Sequence, residues 1–186
     1  MQDIRAGFWI RFGANLLDWL LYLVVSLFLG LFLSETVSNY ILDTLNFFYL
    51  LLVPAFWYGY TVGKRLLKIR IVKKNGKNIG IWTMVKRYIL GGLVYASPLI
   101  ITGLISFTMI GFDVVEFFST SAPSAEFAQS MLGASAIMLI GSLLSFGMLI
   151  TSAFMVGLRE DRRSIHDFVA GTYVTHRKPT ERLEEI

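Results

Sequence analysis

Four apolar windows limit what this chain can fold into: residues 15–33, 40–60, 88–110 and 131–158. A helix crosses a bilayer's hydrocarbon layer with about 20 apolar residues, and each window reaches that length. A helix also satisfies its own backbone hydrogen bonds, which lipid cannot do for it. With 55% hydrophobic residues, the chain is too apolar for an ordinary soluble domain.

The 17 Lys and Arg fall into three stretches that the apolar hairpins separate. Arg5 and Arg11 open the chain. Nine bases from Lys64 to Arg87 fill the middle, and six from Arg159 to Arg182 close it. The loop between windows one and two carries Glu35 and no base. The loop between three and four carries Asp113, Glu116 and Glu126 and no base. Basic residues stay on the cytoplasmic side of an inserted chain, so both termini and the 61–87 loop are expected there. The same rule explains the net charge of +4 without nucleic acid. Anionic lipid headgroups at the cytoplasmic face are the nearest partner. The first window is too long for a signal peptide and lacks a small-x-small cleavage site, so an uncleaved span is expected. Absent cysteines exclude disulfides and thiol chemistry.

The expected fold class is an all-α membrane protein with four transmembrane helices and both termini cytoplasmic. One domain is expected over 1–176, followed by a short cytoplasmic tail at 177–186. The 5–14 segment mixes bases with aromatics, suits the headgroup level and runs into the first span. Pro54 sits near the inner end of the second span and can kink it. Within the middle loop, 68–72 alternates polar and apolar residues and leads to Asn75-Gly76, the dipeptide of a type I′ turn. A small cytoplasmic β-hairpin over 66–80 is therefore expected, with a C-terminal strand at 171–175 as the candidate third strand. Small residues in windows three and four, such as Gly141 and Ser145, allow close helix packing, within the monomer or across a dimer face. The 111–130 segment reads as an external loop with a short surface helix.

Arg11, Asn15 and Asp18 hold the charged chemistry of the first window. Their spacing puts them on one helical stripe, which Tyr22 extends. A buried acid in a span is costly and is a candidate ion or proton site. The alternative is an ion-pair network that fixes helix packing. A second cluster follows window four: Arg162, Arg163, His166 and Asp167. Here Asp167 is a candidate partner for Arg11, His166 reads as a structural histidine, and the two arginines read as headgroup contacts. Two histidines without cysteine make no metal site. Gly59-x-x-x-Gly63-Lys64 departs from a phosphate loop in glycine spacing and in the Arg65 that follows. No catalytic constellation or cofactor motif is present, so no enzyme is expected.

Three blocks carry a family resemblance. The first runs from Ala6 to Arg11 and on to Leu17-Asp18. The second is Gly59-Tyr60-Thr61-Val62-Gly63-Lys64-Arg65-Leu66-Leu67-Lys68-Ile69-Arg70-Ile71-Val72. The third is His166-Asp167 with Ala170-Gly171-Thr172-Tyr173-Val174. Together they resemble the RDD family of small bacterial membrane proteins, named for one arginine and two aspartates. The resemblance assigns those residues to Arg11, Asp18 and Asp167 and implies a bacterial inner membrane. It also implies a link to transport, with sodium–proton antiport in some members. The expected function is therefore ion-coupled transport, a cation–proton antiporter using Asp18, with a monovalent cation and a proton as its ligands. The alternative is a non-catalytic accessory or regulatory protein bound to another membrane protein, or a homodimer.

Overall fold

The structure, a computed structural model, describes residues 5–110 and 125–176. The C-terminal tail and the expected surface helix's 111–124 portion lie outside the described residues.

Four helices are long and apolar enough to cross a membrane: α1 (Phe8–Gly30), α2 (Glu35–Phe56), the continuous stretch Ile81–Ile110, and α6 (Ala125–Leu158). Only 6–11% of each apolar window is buried. Leu31, Leu132 and Leu158 are among the many large side chains left exposed. Water would penalise that much apolar surface, and hydrocarbon does not.

The boundaries differ from those expected, each for a local reason. The first helix starts at Phe8 because the 5–14 segment continues into it, as its aromatic content suggested. The second ends at Phe56 rather than at 60. Tyr58 (φ +54°) and Gly59 (φ +90°) turn the chain there, and the Gly59 amide donates to the Pro54 carbonyl at 2.7 Å. The third begins at α4 (Ile81–Val85), passes through a π-helical turn at Lys86–Leu90, and continues as α5 (Gly91–Ile110). Lys86 and Arg87 therefore lie inside a helix that charge counting had placed in a loop. The fourth gains its polar first turns from Ala125. Its 34 residues rise about 51 Å, well beyond a hydrocarbon layer.

The chain folds as two compact units. The first holds residues 1–91 and 152–186, and the second holds 92–151. In the first unit, β1 (Ile69–Lys73) and β2 (Thr172–His176) pair antiparallel, with Ile71 opposite Val174. Between α2 and β1 lies the short α3 (Val62–Leu66), and α7 (Ile165–Ala170) precedes β2. Both sheet edges receive further backbone. The Ala6 amide donates to the Val174 carbonyl at 2.9 Å, and the Ile71 amide donates to the Gly59 carbonyl at 2.9 Å. The hydrophobic core lies at this sheet: Ile69, Ile71 and Val174 bury against Ala6, Ala14, Ile79 and Met84.

The expected hairpin return strand does not form. The chain turns after Lys73, whose amide donates to the Lys77 carbonyl at 3.0 Å. Positive φ falls on Gly76 (+78°) and not on Asn75, so this is not the type I′ turn of a two-residue hairpin. The chain then runs to Gly80, the N-cap of α4. The candidate third strand is the true partner of β1, while the edge toward which the Lys73 amide points meets Lys77 and Gly59.

In the second unit, helix packing follows the small residues. A Cβ on Gly141 would fall 1.9 Å from Thr102 Oγ1, so only glycine permits this approach. Nearby, Ser106 donates to the Ala134 carbonyl at 3.1 Å.

Candidate functional site

Arg11 sits in the first turn of α1, where the sheet and α7 reach it. Its guanidinium is largely buried, and three acceptors take up its donors. Nε donates to the Ala6 carbonyl at 3.0 Å, Nη1 to Asp167 Oδ2 at 2.7 Å, and Nη2 to the Arg162 carbonyl at 2.6 Å. The expected Arg11–Asp167 pair is formed.

Asp167 is fully buried and serves two cations. Arg87, delivered by the π-helical turn, donates Nη1 to Asp167 Oδ1 and to Thr172 Oγ1. Thr172 Oγ1 and Ser164 Oγ also donate to the carboxylate, at 3.1 and 2.8 Å. Ser164 and Asp167 form a capping box at the start of α7. Burial alone raises a carboxyl's pKa, but Arg87 and Arg11 outweigh it and hold Asp167 well below the usual carboxylate range.

Asp18 belongs to a second network, separate from Arg11. Its Oδ1 accepts from the Tyr49 hydroxyl at 2.7 Å and from the Gly63 amide at 2.7 Å. Its Oδ2 accepts from the Thr61 hydroxyl at 2.6 Å. Gly63 makes this possible. An added Cβ would lie 2.0 Å from the Ala14 carbonyl, so a side chain there would push α3 away from α1. Thr61 also caps α3, accepting from the Lys64 amide.

A cavity of about 680 Å³ runs beside both networks. Arg11, Asn15, Asp18 and Tyr22 all line it, which is the stripe that helical spacing predicted. Lys64, Arg87 and His166 line it from the other elements. Asn15 is an exposed wall residue. His166 Nε2 lies 3.0 Å from Ser164 Oγ. Because that hydroxyl gives its proton to Asp167, it accepts from the imidazole. Burial, with Arg87 next, pushes His166 down to about 3, so its ring is neutral at pH 7. Burial also lowers Lys64, to about 8, although Asp18 partly opposes it.

The described bonds of Arg162 and Arg163, which the sequence reads as headgroup contacts, are to the protein. Arg162 Nη1 donates to the Arg5 carbonyl at 2.9 Å. Arg163 donates to the Thr172 and Asp167 carbonyls and stacks over Phe168 at 4.1 Å. Sequence reasoning missed Arg87, Lys64, Tyr49 and Thr61. Lys64 and Thr61 stood within the second motif block. Arg87 and Tyr49 had no signal beyond composition, since their roles depend on which elements meet.

The RDD family model matches residues 5–171. The chain belongs to the RDD family. An uncharacterized protein, YckC of Bacillus subtilis (strain 168), is 32% identical over 179 residues, covering 95% of this chain and 87% of that protein. No solved structure matches the chain. This RDD-family chain is a multi-pass membrane protein by its four apolar helices. The three residues to which the family resemblance points divide between the two networks: Arg11 and Asp167 in one, Asp18 in the other.

Proposed function

We propose that this chain is a non-catalytic accessory protein of the bacterial inner membrane, with cytoplasmic termini, that associates with another membrane protein. The observation supporting this is the engagement of both Asp18 oxygens by donors from the protein. Its carboxylate accepts from Tyr49, Thr61 and Gly63, two hydroxyls and an amide. A carrier acid must exchange partners in each cycle, and here a cation would compete with donors that also fix α3 to α1. The cavity beside it has Arg11, Lys64 and Arg87 against Asp18 on its walls, a balance that repels cations. Arg11 and Asp167 are engaged in joining the sheet and α7 to the helices. The exposed Lys74 and Lys77 at the adjoining turn give the base-rich face a surface for an acidic partner.

Cation–proton antiport at Asp18 is the second reading, and one observation favours it. Asp18 borders the cavity together with Asn15, Asn46 and Tyr49, whose oxygens are neutral cation ligands. Proteoliposomes carrying a pH-sensitive dye separate the two. The accessory reading expects no cation-driven proton exchange above protein-free vesicles, and a stoichiometric membrane protein cross-linked to the chain in native membranes. Exchange by the wild type that disappears in Asp18→Asn overturns it in favour of antiport.

A further inference from the structure

The cavity has two chemically different parts. Arg11, Lys64 and Arg87 converge on it beside Asn15, Ser152 and Ser164. Phe12, Trp19, Tyr22 and Leu50 supply an apolar and aromatic wall along the helices. Phe12 and Trp19 are half-exposed on the surface of α1, so this wall is continuous with the lipid-facing side.

The charges do not cancel. Arg11 and Arg87 share the single carboxylate of Asp167. Lys64 is 6% exposed, and among the described residues no hydrogen bond or ion pair engages its ammonium. Asp18, the acid on the cavity wall, is already met by three donors. A largely buried lysine that lines a cavity with no bonded counter-ion is costly, and an anion placed against it lowers that cost.

We infer that this cavity binds an anionic amphiphile, its phosphate or carboxylate head at Lys64 and its apolar chain along Phe12, Trp19 and Leu50. The inference is independent of the accessory reading, because a protein that exchanges cations can hold such a molecule as well. A membrane phospholipid and a free anion share the head chemistry. The chain-binding wall argues for the lipid.

Thermal unfolding of the delipidated protein in detergent tests this, with phosphatidylglycerol, phosphatidylcholine or inorganic phosphate added. Phosphatidylglycerol should raise Tm more than equal phosphatidylcholine, and Lys64→Gln should weaken its apparent affinity tenfold or more. Lys74→Gln, at an exposed position away from the cavity, should leave that affinity unchanged. Asn15→Phe fills the cavity from an exposed wall position and should abolish the phosphatidylglycerol effect in a protein that still unfolds cooperatively. Equal protection by phosphatidylcholine overturns the proposal, as does undiminished binding by Lys64→Gln or Asn15→Phe. A shift reproduced by inorganic phosphate alone replaces the amphiphile with a free anion and also overturns it.

Discussion

Arg11 and Asp167 meet at 2.7 Å although 156 residues separate them in the chain. One cation stands at the start of the first helix, and the acid that neutralises it stands in the last short helix. Arg87 reaches the other oxygen of the same carboxylate. Removing the acid therefore strands two buried guanidinium groups.

Asp167→Asn keeps the shape and the capping of α7 but abolishes the charge. Breaking a buried pair by deleting one partner costs about 3–5 kcal/mol. The expected result is a loss in that range for Asp167→Asn, measured by denaturant or thermal unfolding in detergent. Arg162→Gln, at an exposed position, should cost less than about 1 kcal/mol. Equal losses would show that burial of the pair contributes nothing special.

Gly63→Ala tests the close approach of α3 to α1. The new Cβ would sit 2.0 Å from the Ala14 carbonyl and 3.1 Å from Asp18 Cγ. Backbone must shift, and the Gly63 amide loses its bond to Asp18. A loss of about 2 kcal/mol or more is expected. Gly92→Ala is the control, because its Cβ meets nothing within 4 Å. That substitution should stabilise its helix by about 0.5–1 kcal/mol. Similar effects from the two would contradict the packing described.

Three buried groups outside the spans contribute to the pH dependence of stability. His166 is lowered to about 3 in the fold, against about 6.5 when unfolded. Between those values the unfolded chain binds the proton and the folded chain does not, so stability falls as pH drops through that window. Asp167, also lowered, contributes stability above pH 4 that is lost below it. Lys64, lowered to about 8, acts at the other end: stability rises from pH 8 toward the unfolded value near 10.4. His166→Gln should flatten the acid limb between pH 6 and 4. Lys64→Met should stabilise at pH 7 by roughly 2–3 kcal/mol, with the gain vanishing near pH 10.5. Unfolding midpoints across pH check both, and an unchanged profile in either variant refutes its assignment.

Much of this architecture was legible from residue types alone. Apolar length revealed the four helices, and helical periodicity placed Arg11, Asn15, Asp18 and Tyr22 on one wall of the cavity. The alternation in 171–175 revealed β2. The rest depended on tertiary neutralisation, which leaves no local trace. Arg87 looked like loop because it is charged, yet Asp167 neutralises it and lets the helix extend around it. Residues 77–80 do not form a strand: one edge of β1 pairs with β2, about a hundred residues on, and on the other the Ile71 amide bonds to Gly59. The donors to Asp18 came from α2 and the turn before α3, positions that no spacing rule connects to α1.

The sheet also imposes a timetable. Ile69–Lys73 leaves the ribosome about a hundred residues before Thr172–His176, the strand it must pair with. Arg11 waits longer still for Asp167. Until β2 has been made, β1 and Arg11 lack the partners they hold in the folded chain. A truncation that removes β2 should leave inserted helices that never lock together, which a protease would find before any assay did.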